Sequence, residues 1–115
     1  MEAVKEQLVA VIREWFPDAD LQTDPQAGDA FKARLTKSVF VAELDKERRT
    51  NPIIIHASED VLSDLSHLTV ERRTRAFQAI KGYVDHRLGE YDAGLSRDAY
   101  STTHPFHIDI PTSVY

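Results

Sequence analysis

At 115 residues, with 42% hydrophobic and 29% charged side chains, the chain has the composition of one soluble globular domain able to bury a core unaided. Cysteine is absent, which excludes thiol catalysis, disulfides and thiolate metal sites and fits a reducing, cytoplasmic setting. A formal charge of -5 argues against broad binding to nucleic acid or anionic lipid, while leaving room for a local basic patch.

From Met1 to Phe16 the apolar residues recur every three or four positions. Val4, Leu8, Val11 or Ile12, and Trp15 form one stripe, widened by Val9 and Phe16, while Glu2, Lys5, Glu6, Arg13 and Glu14 take the other side. This predicts a helix that packs on a sheet and stops before Pro17. The opening residues lack a basic region followed by an apolar run, so no targeting segment is expected, and no stretch is long enough to span a bilayer.

Asp18 to Asp29 reads as turn-rich, with Leu21-Gln22-Thr23 as a short edge strand. Phe31, Ala33 and Leu35 alternate with Lys32, Arg34 and Thr36, the pattern of a half-exposed strand, and Val39 to Leu44 continues it past a turn or bulge at Lys37-Ser38. The polar run Asp45 to Asn51 is expected to be a hairpin loop, after which Ile53-Ile54-Ile55-His56 forms a central strand.

Ser58 is placed as the cap of a short helix holding Val61, Leu62 and Leu65, with Glu59 and Asp60 at its positive end. Thr69 caps a longer helix whose expected core face is Val70, Phe77, Ile80, Val84, Leu88 and Tyr91, with Gly89 as terminator. On that reading Phe77→Ala costs about 3–5 kcal/mol, and Arg73→Ala stays within about 0.5 kcal/mol. Finally, Phe106, Ile108 and Ile110 alternate with His107 and Asp109, giving a last strand or a docked tail.

The fold expected is therefore α+β: an N-terminal helix, an antiparallel meander of three or four strands, a short and then a long helix on one sheet face, and a C-terminal strand or tail. It forms one domain over 1–115, with a compact core at 1–94 and the strand or tail at 95–115.

Several constellations bear on function. Arg72, Arg73 and Arg75 gather at the start of the long helix, and guanidinium forks suit phosphate. Lys32 and Arg34 on a strand, with Lys46, Arg48 and Arg49 in the following loop, extend the candidate basic surface; the plain alternative is a solvated face balanced by Glu71, Asp85 and Glu90. The order helix, three strands, helix, with Arg72-Arg73-x-Arg75 opening the second helix, resembles that of double-stranded-RNA-binding domains over about residues 1 to 90. The likeness implies a nucleic-acid-binding module, but Lys46 to Pro52 does not match that family's middle loop and its basic block is not reproduced.

His104, His107 and Asp109 are a sparse candidate metal set: only His107 and Asp109 share a strand face, a tetrahedral site needs three or four ligands, and the spacing of His56, His67 and His86 adds no support. Ser58, Ser63, Ser66 and His67 lie near Asp60 and Asp64, yet there is no nucleophile-elbow motif, and the four glycines are dispersed instead of cradling phosphate. No cofactor is implied. Tyr83, Tyr91, Tyr100, Phe106, Val114 and Tyr115 supply the aromatic and apolar material of an interface, and a helix-free sheet face invites a second copy. The sequence thus favours a small non-enzymatic binding or regulatory protein acting through protein contacts, as a homodimer. A nucleic-acid-binding module using Lys32, Arg34, Arg72, Arg73 and Arg75 comes second, and a His-dependent metal protein third.

Overall fold

A computed structural model describes residues 2–26, 28–36, 38–41, 46–49, 52–90 and 105–115, with the backbone alone given for 38–41 and 46–49. Helix α1 spans Glu2–Trp15 and strands β1 and β2 span Asp20–Thr23 and Phe31–Thr36. They are followed by β3 (Ser38–Val41), β4 (Lys46–Arg49) and β5 (Ile53–Ala57). Helices α2 (Glu59–Ser66) and α3 (Val70–Leu88) lead to β6 (Phe106–Ile110) and a short 3-10 turn at Thr112–Val114.

The main sheet has the order β1-β2-β5-β6. Its first three strands are antiparallel, but β6 lies parallel to β5, with Ile55 opposite Ile108. The antiparallel arrangement expected of the first strands is present, and the C-terminal strand, whose direction the sequence leaves open, joins it in parallel. Parallel neighbours need a long crossover, and α2 and α3 lie within the connection between them. Lys46–Arg49, read from its polarity as loop, is strand β4, paired with β3 in a separate two-stranded ladder. Ladder hydrogen bonds come from the backbone, so a charged exposed sequence can pair as well as an apolar one.

Among the described residues, α1, α2 and α3 cover one face of the sheet. Val4, Leu8 and Ile12 of α1 meet Phe31, Ala33 and Leu35 of β2, Ile55 and Ala57 of β5, Val61, Leu62 and Leu65 of α2, Ala76, Ile80 and Val84 of α3, and Ile108 and Ile110 of β6. Each fully buried Leu or Ile contributes about 1.5–3 kcal/mol of apolar burial. Period-2 spacing in β2 and near-3.6 spacing in α1 aim these side chains at one interior. The C-terminal segment is a full member of that core.

The α3 core face is rotated from the one expected. Val70 is 77% exposed and Phe77 only half-buried, while Ala76, Ile80 and Val84 are buried. Tyr91 lies outside the described residues. The rotation has a polar cause: Arg73 occupies the inward side of the first turns, as described below. Ser58 and Thr69 cap α2 and α3 as expected, accepting from the amides of Val61 and Arg72 at 3.4 and 3.3 Å.

Candidate functional site

The candidate basic residues do not share a surface. Register places Lys32 and Arg34 on the helix-free face of the sheet, opposite His56 and Ile54 respectively. Arg72, Arg73 and Arg75 belong to α3, on the other side. Lys46, Arg48 and Arg49 sit in β4, and their side chains lie outside the described residues.

Arg73 is not a solvated charge. Its Nε donates to the Leu65 carbonyl at 2.9 Å, and Nη2 donates to the Ser66 and Leu68 carbonyls at 3.3 and 3.2 Å. Nη1 donates to Gln7 Oε1 at 3.0 Å. A helix leaves its last carbonyls without amide partners, and this guanidinium satisfies those closing α2 while tying α1 to α3. The expectation that Arg73→Ala is harmless therefore gives way, since four of the five N–H donors of this fork are committed within the protein.

Arg72 and Arg75 differ. Both are exposed, and neither guanidinium has a partner among the described residues. They border a groove of about 400 Å³ on the flank of α3. Its floor and walls are Leu68, Ala76 and Ala79 with Val114 and Tyr115 of the C-terminal segment. One helical turn separates the two arginines and another links Ala76 to Ala79, so small residues leave space beneath two cations. Val114 and Tyr115 arrive because β6 and the 3-10 turn carry the chain back beside α3. The C-terminal segment thus docks on its own domain.

Tyr115 is held in place by its hydroxyl, which donates to Asp64 Oδ2 at 3.1 Å. Burial, together with the hydrogen bond to and the negative charge of Asp64 and the charge of Asp60, pushes its hydroxyl up to about 12. Asp64 and Asp60 thus act at the Tyr115 hydroxyl, while Arg72 and Arg75 border the groove itself.

On the helix-free face, His56 Nδ1 lies 3.4 Å from Asp109 Oδ1, and the register sets His107 beside Ile54. Ile54 is 7% exposed although it faces away from the helices. A shallow depression of about 320 Å³ lies nearby, between Gln22, Asp24, Pro25, Lys32, Arg34 and Ile54. His104 lies outside the described residues, and among those described no three His, Asp or Glu side chains are grouped to hold a metal. At the sheet edge, Arg87 stacks 4.9 Å over the Phe106 ring and donates to the His107 carbonyl at 2.9 Å. It also pairs with Glu90 at 2.6 Å.

The groove is what sequence reasoning missed as a unit. Arg72 and Arg75 were legible as a pair of cations, and Val114 and Tyr115 as interface material. Nothing local says that the two sets meet. The available signal was the interleaving of Arg72, Arg75, Ala76 and Ala79, small and cationic residues on one side of a helix. Among the described residues no helix is long and apolar enough to cross a membrane. Comparison with known proteins returns no matching family model, curated protein or solved structure.

Proposed function

We propose that this protein is a small non-enzymatic binding module that acts through protein contacts. The observation supporting this most is the α3 groove, where Leu68, Ala76 and Ala79 lie with Arg72 and Arg75, cations without a partner among the described residues. Unpaired guanidinium groups beside desolvatable apolar surface are the materials of interface hot spots. The nucleic-acid reading draws less support, because Lys32 and Arg34 lie on the opposite side of the sheet and Arg73 is committed internally.

Quantitative affinity capture with three variants tests the reading. Partners retained by wild type and by Lys32→Glu/Arg34→Glu, but lost with Arg72→Glu/Arg75→Glu, support it. Retention indifferent to the groove, or co-purifying nucleic acid released steeply by salt, contradicts it. Sedimentation of the same proteins reads out the homodimeric form of the reading, in which the retained partner is a second copy and Arg72→Glu/Arg75→Glu sediments as a monomer.

A further inference from the structure

Resting on the reading of the protein as a contact module, we propose that the α3 groove receives an acidic segment of a partner protein. In the bound segment one or two carboxylates are followed or preceded by a large apolar side chain. The carboxylates take the Arg72 and Arg75 guanidinium groups, and the apolar side chain lies over Ala76 and Ala79 against the Tyr115 ring.

Three features fix this chemistry. First, the two arginines stand one turn apart on one side of α3 with no acceptor among the described residues, so their forks suit paired N–H···O bonds to carboxylate. Second, the floor is apolar and small. A simple anion would leave it wet, whereas a Leu, Ile or Phe side chain fills it and removes water from around the charges. Third, the hydroxyl of the lining residue Tyr115 is already taken by Asp64, with the charge of Asp60 also acting on it, so a carboxylate finds its partners at the arginines and not at Tyr115.

A nucleic-acid strand fits these features worse. A polyphosphate needs a track of cations, the chain carries a net charge of -5, and the candidate cations Lys32 and Arg34 lie on the other face of the sheet. A short acidic peptide brings few charges and avoids most of that repulsion.

Selection from a display library of random linear peptides, using the full chain as bait, provides the test. Enriched peptides are expected to combine Asp or Glu with Leu, Ile, Phe or Trp, and to weaken at least about tenfold against Arg72→Gln/Arg75→Gln, a loss expected of a central charged contact. Ala79→Leu, which fills the floor without changing charge or helix propensity much, should weaken them to a similar extent. Lys32→Gln/Arg34→Gln should leave affinity unchanged, and thermal melts identical to wild type confirm that each variant is folded. Peptides that are neutral or basic, that ignore both groove variants, or that fail to enrich at all overturn the proposal. If peptides bind but depend on Lys32 and Arg34, the contact-module reading survives while this groove assignment falls. If no peptide enriches and duplex RNA is retained at low salt, both fall.

Discussion

Arg73 closes the end of α2 by donating through Nε to the Leu65 carbonyl at 2.9 Å, eight residues back along the chain. Its other nitrogens reach Ser66, Leu68 and Gln7, so one side chain joins three helices. Removing it takes the guanidinium from the Ser66 and Leu68 carbonyls and leaves Leu65 only the Leu68 amide as donor. Arg73→Ala is expected to destabilise by about 2–3 kcal/mol, the scale of hydrogen bonds to a charged group. Arg72→Ala and Arg75→Ala should each remain within about 0.5 kcal/mol, as exposed positions do. Urea denaturation of the three variants checks the contrast; equal losses would show that Arg73 is merely a surface residue.

The rotation of α3 ranks its core positions. Ile80 is 0% exposed, so Ile80→Ala should cost about 2–5 kcal/mol. Phe77, half-buried at the edge of the cluster, should cost roughly 2 kcal/mol, below the range for a fully enclosed ring. Denaturant midpoints that reverse this order would restore the face expected from spacing alone.

That expected face illustrates what the sequence conveys. The spacing of Val4, Leu8 and Ile12, the alternation of Phe31, Ala33 and Leu35, and the caps Ser58 and Thr69 each carry their structural meaning within a few residues, and the elements they predict are present. The parallel placement of β6 depends on how the crossover packs, and no local pattern carries it. Lys46–Arg49 misled because a charged run reads as loop, while the ladder it joins is made by the backbone. Arg73 misled because a charged side chain on a helix is ordinarily solvated, and its acceptors are carbonyls that any sequence possesses. The two cations of the groove were visible; the wall formed by Val114 and Tyr115 was not, since tertiary return of the chain brings it there.

The Tyr115 hydroxyl predicts a pH dependence of definite sign. Its pKa rises from 10.0 to about 12 on folding, so the native state holds this proton more tightly than the unfolded state. Any stability from this linkage is fully present below pH 10.0 and is lost as pH rises through about 12. Wild type should therefore lose stability relative to Tyr115→Phe as pH climbs from 9 through 11, followed by urea denaturation at each pH. Parallel curves over that range would mean that the Tyr115–Asp64 bond does not persist in solution.

Arg87 guards the outer edge of β6, stacked on Phe106 and bonded to the His107 carbonyl. An edge strand with free backbone groups invites pairing with other chains, and a charged side chain laid along it discourages that. Arg87→Ala should cost about 1–2 kcal/mol and raise hydrogen exchange first at β6 amides. Unchanged exchange there would show that the strand is held by β5 alone.

Amide chemical-shift mapping tests the central claim most directly, with a peptide pairing carboxylates with a large apolar residue titrated into the labelled full chain. The account predicts shifts concentrated at Leu68, Arg72, Arg75, Ala76, Ala79 and Val114, and their loss in Ala79→Leu. Shifts gathered instead at Lys32, Arg34, Ile54 and His56 would contradict it and move the binding surface to the helix-free face of the sheet.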